Sequence, residues 1–381
     1  MATCAGAQIS TPAPAARQSA PLTRLVPLTD IPVPYDQAEP VSGGVQRITT
    51  PEDRAQTLQL LQNARLVSDI RLHPYDMKTS FTTYGSSSSD GRWILEDMSP
   101  SHTIYRWTAQ GPRFSGVFIT ENRLLWSNQA GGAMPLRLAQ VRMAMWGRYV
   151  PSIGPFASLR VATGNVNGGA VRCVLVARNV SRRAQPQFPH GRSFAESEYC
   201  IDPESGLLTS YSPYPGAYIR FDYANAFHFH RQIIPGGFTI IENGQTVIEA
   251  RIDSVTAAPT NTSNLFDTSG LNALGVGQVI VPRLIDKGYQ TALQLGPDSA
   301  PQVVALHGMI GPKGQLTEVE ILATTNSALD DAAIKHASLS GAVRMPRHPQ
   351  PGETPRSREA VFIIEFVPAL PASSLNSTPA N

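Results

Sequence analysis

The chain has 381 residues, with 31 basic and 29 acidic side chains and a net charge of +2. Apolar residues make up 41 %, enough for a sizeable core, while charged residues are only 16 %, below the roughly 25 % of ordinary soluble domains. There is no basic stripe of the kind a phosphate backbone needs, which excludes nucleic acid as the expected partner. No run of about 20 apolar residues is present to span a membrane as a helix.

Residues 1–45 form a lead rich in Pro, Ala, Ser and Thr, a composition unable to bury a core. Within it, Ala5-Gly6-Ala7 before Gln8 matches the cleavage end of a secretory signal. Two readings stand: a signal whose start is truncated, and an ordinary disordered tail. A helix is then predicted over 50–67. Thr50 supplies the N-cap, Pro51 the first helical position, and Glu52 and Asp53 suit the positive end of the dipole. Leu60, Leu61, Ala64 and Val67 make its apolar face.

Five strand-like runs follow between Met77 and Trp126, separated by turn signals such as Ser99-Pro100 and Gly111-Pro112. Their even spacing predicts an antiparallel meander. Trp93, Tyr105, Trp107, Phe118 and Trp126 place large aromatic surface on it. This set is the candidate lining of an apolar ligand cavity; an ordinary sheet–helix core is the other reading. A second helix is predicted over 135–149, and strands resume through Asn243-Gly244, a type I′ hairpin signal.

Cys173 and Cys200 lie in two nearby strand-like segments. Antiparallel pairing would bring them into disulfide range, which suits an oxidising compartment; two buried thiols are the alternative. Several chemical motifs are rejected. His228 and His230 alternate as a metal pair would, but no third ligand accompanies them at ligand spacing. Gly275-Val276-Gly277 lacks the context of a dinucleotide fingerprint. Gly311-Pro312-Lys313-Gly314 reads as a hairpin turn. No nucleophile elbow occurs, so neither catalysis nor a cofactor or metal is expected.

Residues 256–275 read as a linker and residues 276–368 as a smaller unit, followed by a Pro/Ser-rich tail over 369–381. The smaller unit runs strand (Val303–Ile310), turn, strand (Leu316–Ala323), helix (Leu329–Ser338) and last strand (Ala360–Val367). Val281-Pro282-Arg283, Lys287-Gly288, Leu329-Asp330-Asp331-Ala332-Ala333 and Pro346 stand in matching order. On these residues the unit resembles the TonB C-terminal domain. It departs from that pattern around Gly341–Met345, where the usual aromatic pair is absent, and by the extra segment Tyr289–Pro301. The resemblance implies that Val361, Ile363 and Phe366 form an edge strand able to pair with an extended segment of an outer-membrane or envelope partner; an inner strand with no free edge is the alternative.

The first unit, residues 46–255, is similar in outline to LolA/LolB-type carriers. The helix at 50–67, the consecutive strands and the Tyr199–Leu208 stretch carry that likeness. It implies a strongly curved sheet around an apolar cavity, closed by helices. The expected fold is therefore α+β: a curved antiparallel sheet with packed helices, then a small αβ module. The expected function is a non-enzymatic periplasmic envelope protein that binds a lipid, acyl ligand or lipoprotein and docks a partner. A diverged TonB-type energy-transduction component is the alternative.

Overall fold

A computed structural model of the chain describes residues 45–85, 89–122, 124–129, 134–145, 150, 153, 157–177, 196–214, 216–259, 264–276, 286–295, 302–311, 315–324, 326–339 and 358–368. The Pro-rich lead and the tail beyond 368 lie outside these residues.

Strand β1 (Gln46–Arg47) precedes helix α1 (Pro51–Ser68). The Thr50 hydroxyl accepts a hydrogen bond from the Asp53 amide at 3.0 Å, capping the helix as its sequence predicts. Thr57, Leu61, Ala64 and Ser68 are buried, a spacing of four, three and four that keeps one face inward. The meander follows as β2 (Tyr75–Thr83), β3 (Gly91–Ser101), β4 (Ile104–Gly111), β5 (Phe114–Glu121) and β6 (Leu124–Ser127). Helix α2 (Leu136–Met145) leads to β7 (Ser158–Val166), β8 (Gly169–Ala177), β9 (Ser197–Ile201), β10 (Leu208–Tyr214) and β11 (Ala217–Asp222). A small ribbon of β12 (Phe227–Phe229) and β13 (Gln232–Ile234) precedes the hairpin β14 (Gly237–Glu242) and β15 (Gln245–Thr256). At its turn Asn243 and Gly244 have φ of 49° and 73°, the left-handed pair a type I′ turn requires. Strand β16 (Asn272–Val276) follows.

All of these strands but β12 and β13 form one antiparallel sheet of 14, in the order β1-β7-β8-β9-β10-β11-β14-β15-β2-β3-β4-β5-β6-β16. At about 4.8 Å per strand a flat sheet would be roughly 60 Å wide. Yet one contiguous core takes side chains from β7 (Leu159) and β8 (Val174) through β15 (Ile248) to β5 (Phe118) and β16 (Leu274). The same core includes Leu61 of α1 and Leu138, Val141, Ala144 and Met145 of α2. Helices of 18 and 10 residues reach all of it only if the sheet curls around them.

The expectation of an α+β fold is thus corrected. The chain is mostly β, and α1 and α2 fill the hollow of a single large sheet instead of forming a layer of their own. Two local signals misled. Eight of the ten residues of α2 are buried, so the second predicted helix lies within the hollow of the sheet and not across its outside. The segment taken as a linker also supplies β16, which pairs with β6 through Ala273 and Trp126.

The remaining strands form a separate sheet with helix α3 (Asp330–Leu339): β17 (Asp286–Leu295), β18 (Gln302–Ile310), β19 (Leu316–Thr324) and β20 (Arg358–Pro368), ordered β17-β20-β18-β19. Val304, Leu306, Ile364 and Phe366 pack with Ala333 and Ala337 of α3 in their own core. Here the edge-strand expectation is also corrected. Strand β20 pairs in parallel with β17 and antiparallel with β18, so both its edges are occupied. Val361 and Phe366 are fully buried, and Ile363 pairs with Tyr289 and Ala305. The strand that covers β20, Asp286–Leu295, runs from the opening residues Lys287-Gly288 into the segment read as an insertion, Tyr289–Pro301, which carries no apolar alternation strong enough to announce a parallel partner.

Tight backbone approach is visible at Gly111, where a Cβ would sit 2.3 Å from the Trp93 ring. Gly111→Ala is expected to destabilise the fold by about 1–3 kcal/mol by overpacking. Urea denaturation followed by tryptophan fluorescence measures it; an unchanged midpoint would contradict this packing.

Candidate functional site

Of the aromatic residues singled out from the sequence, Trp93, Tyr105, Trp107 and Phe118 share one face as packed surface, while Trp126 pairs with Ile119 and lies on the opposite face. Trp107 of β4 and Phe118 of β5 are directly paired across strands and stack with centroids 3.9 Å apart. Trp93 stacks on Phe81 at 5.7 Å. Trp93, Trp107 and Phe118 are 2–3 % exposed and Tyr105 is 9 % exposed; Trp126 is half-buried. Alternation along each strand sends Tyr105 and Trp107, or Met77 and Phe81, to one face, and that face is the concave one that α1 and α2 occupy.

Helix α2 is the unusual part of this packing. Eight of its ten residues are buried, Arg137, Gln140 and Arg142 among them. The Arg142 guanidinium lies 4.1 Å from the Trp107 ring centroid and 3.5 Å from Asp97. Asp97 also accepts the Tyr75 hydroxyl at 2.8 Å. Burial outweighs the Asp97 attraction and lowers the Arg142 pKa, while burial and Asp97 together push the Tyr75 hydroxyl well above its ordinary range. A charged pair thus sits at the floor of an aromatic core, where desolvation makes ions costly.

Arg137 ties the other side of α2 to both sheets. It contacts Glu242, at the end of β14, at 2.6 Å and Glu320 of β19 at 2.5 Å. Gln140 donates to Glu242 at 2.7 Å. His307 of β18 is fully buried and lies between Glu242 (3.0 Å from Nδ1) and Glu359 (2.6 Å from Nε2). The Leu136 amide at the start of α2 donates to Glu318 of β19 at 2.8 Å. A pairing irregularity between His307 and Met309 of β18 falls opposite Glu318, whose φ is 53°. Such a bulge re-aims a side chain, and here it turns a carboxylate onto a helix N-terminus, where negative charge is stabilised. The two sheets also touch closely: a Cβ on Gly216 would lie 3.2 Å from the Leu322 carbonyl oxygen.

Charge is unevenly held in this network. Burial alone would lower the His307 pKa, but Glu242 and Glu359 raise it to about 10, so the ring is an imidazolium. Burial would push Glu242 up, but His307 and Arg137 hold it well below the usual carboxylate range. Burial and the neighbouring Glu242 push Glu320 up to about 7 against the pull of Arg137. Burial also raises Glu318, opposed by the Leu136 amide.

Glu242, His307 and Glu320 bring three potential metal ligands within 4.8 Å of one another. The Arg137 guanidinium already bonds both carboxylates, so a second cation would meet repulsion there. The cysteines near Glu198 are committed to each other: Cys173 and Cys200 face across β8 and β9 and form a disulfide. His230 follows the end of β12 with φ of 55° and stacks on His73 at 4.0 Å, so it does not share a strand face with His228. A cavity of about 10 Å³ lies between Gln140, Met143, Tyr218, Ile240, Glu242 and Glu359, room for about one water.

Sequence reasoning missed the whole network. Its members come from five elements, and Glu318-Val319-Glu320 reads locally as the solvated face of a strand. The usable signal was α2, where Arg137 and Arg142 interrupt an apolar helix that lacks a polar side.

No protein-family model matches the sequence, and no curated protein matches it. Solved structures do show likeness. A LolA superfamily protein from Nitrosomonas europaea aligns at 8 % identity and a TM-score of 0.36, over 55 % of this chain and 97 % of that one. A DUF1329 family protein from Desulfovibrio piger aligns at 6 % identity and 0.37, over 57 % and 98 %. The Pseudomonas aeruginosa MucA/MucB complex gives 12 % and 0.24, over 58 % and 64 %. The resemblance of residues 276–368 to TonB finds no support in these comparisons.

Glu320 and His307 both have folded pKa values above their ordinary 4.5 and 6.5. Such groups stabilise below the unfolded pKa and lose that contribution as pH rises through the folded one. Stability is therefore expected to fall as pH rises, above about 6.5 and towards 10 for His307 and between about 4.5 and 7 for Glu320, each group contributing on the order of 2–3 kcal/mol. Glu320→Gln removes its own share, leaving a shallower slope in urea denaturation. A slope unaltered by this substitution would show that Glu320 does not titrate in that window.

Proposed function

We propose that this chain is a non-enzymatic binding protein of the cell envelope, whose concave sheet face takes an acyl chain when α2 withdraws. The observation that carries this reading is α2 itself. A helix with two buried arginines occupies a hollow that apolar side chains would fill at lower cost. Beside the apolar packing of Leu138, Val141, Ala144 and Met145, its ties to the sheet are a few ion pairs and hydrogen bonds, which can be exchanged, over a floor of Trp107, Phe118, Trp93 and Leu95. Vacated, that floor would offer a broad apolar surface with one polar group, the Asp97–Tyr75 pair, as ligand sites generally do. The Cys173–Cys200 bond suits an oxidising compartment. Among the described residues no helix is long and apolar enough to cross a membrane.

The test is a photoreactive diazirine fatty acid, titrated onto the full chain and mapped by mass spectrometry. Saturable labelling on β2–β5 is expected, suppressed by unlabelled fatty acid. Trp107→Leu should weaken binding roughly tenfold, the loss of about 1–2 kcal/mol of apolar contact. Labelling that is unsaturable or scattered over the outer surface would sink the proposal.

A further inference from the structure

The network around Arg137 joins three parts of the chain that need not have met. Helix α2 belongs to the proposed ligand hollow. Glu242 ends a strand of the large sheet. Glu318, Glu320, His307 and Glu359 all belong to the C-terminal sheet, more than 160 residues later in sequence. We propose that the C-terminal sheet is a latch: it holds α2 in the concave face, and its undocking releases the helix. This rests on the acyl-binding reading above and adds to it how the hollow would be opened.

Three observations converge on the latch. First, the contacts to α2 fall at its N-terminal end. Glu318 accepts from the Leu136 amide and Glu320 pairs with Arg137, so the C-terminal sheet grips the helix by its first turn. Second, the grip is built rather than incidental. The left-handed conformation of Glu318 is unfavourable for a residue with a Cβ, and the bulge it makes serves to aim this carboxylate. Third, the network is interdependent. Glu242 is shared by Arg137, Gln140 and His307. If the C-terminal sheet moves away, His307 and Glu320 leave with it, and Arg137 and Glu242 remain as a pair stripped of half its partners. Val304 and Leu306 face α3, while alternation turns His307 to the other side together with the buried Ala305, Met309 and Val361. The docking face thus joins a small apolar seam to a charge network, and the network is the part that responds to a competing partner or to pH.

The experiment is hydrogen–deuterium exchange on the full chain, comparing wild type with Glu318→Gln/Glu320→Gln. Amides of 138–145 should exchange at least tenfold faster in the variant, while those of β2–β5 keep their protection. Unchanged protection of 138–145, with β18–β20 still protected, overturns the latch. So does a uniform loss across both sheets, which would mark a plain loss of stability. If the double variant fails to fold, Glu318→Gln alone, confined to the bulge, is expected to give a smaller rise of about threefold at α2 only, and no rise overturns the proposal. The fatty-acid probe on the same variants separates the two readings. A loosened α2 without acyl uptake keeps the latch and removes the ligand class. Acyl uptake with α2 unmoved removes the latch alone.

Discussion

The burial of the Arg137 guanidinium is the constraint on which the rest of the arrangement depends. An arginine keeps its charge in any protein environment, so it must be met by carboxylates wherever it is taken. Here they come from Glu242 and Glu320, one in each sheet. Two carboxylates so close require further positive charge, and the His307 imidazolium supplies it, in turn held by Glu359. Neutralising one side chain thus ties two sheets and one helix together.

The same logic explains why the hollow of the large sheet is filled as it is. A curled sheet of 14 strands has more concave surface than its own side chains can cover. Helix α1 covers part of it with an ordinary apolar face. Helix α2 covers the rest with a mixture of Leu, Val, Met and Arg, so its affinity for the sheet comes partly from apolar area and partly from ion pairs whose formation carries a desolvation cost. Breaking one partner away is expensive, yet replacing the whole contact by another apolar occupant is not. That asymmetry suits a helix that is displaced as a unit.

What could be read from the sequence was local. The Thr50 cap, the Asn243-Gly244 turn and the strand–strand–helix–strand order of the C-terminal unit are each set by neighbours in the chain, and each appears where the residues place it. The Cys173–Cys200 bond was legible because both cysteines lie in strand-like segments near each other in sequence. What could not be read depends on long-range closure. Nothing local to Asp286–Leu295 says that it pairs in parallel with β20, and nothing near Asn272 says that it adds to β6. The aromatic residues were visible as a group, but whether they line a space or pack against a helix is decided by α2. The charged network was the least legible. His307 looks like a lone histidine between Leu306 and Gly308, and its partners are scattered over more than 100 positions.

The disulfide between β8 and β9 has a consequence for the chain as a polymer. It bridges positions 27 apart, closing a loop whose cross-link removes about 3–4 kcal/mol of unfolded-state entropy on the chain-entropy account. Both cysteines are buried in a small cluster with Ala162, Val166, Val171 and Leu175, so the linkage lies under cover. A peptide bond cut anywhere between the two sulfurs therefore leaves the protein a single covalent molecule, with β8 still fastened to β9. That stretch of sequence can lengthen, shorten or be clipped during evolution or maturation without parting the sheet.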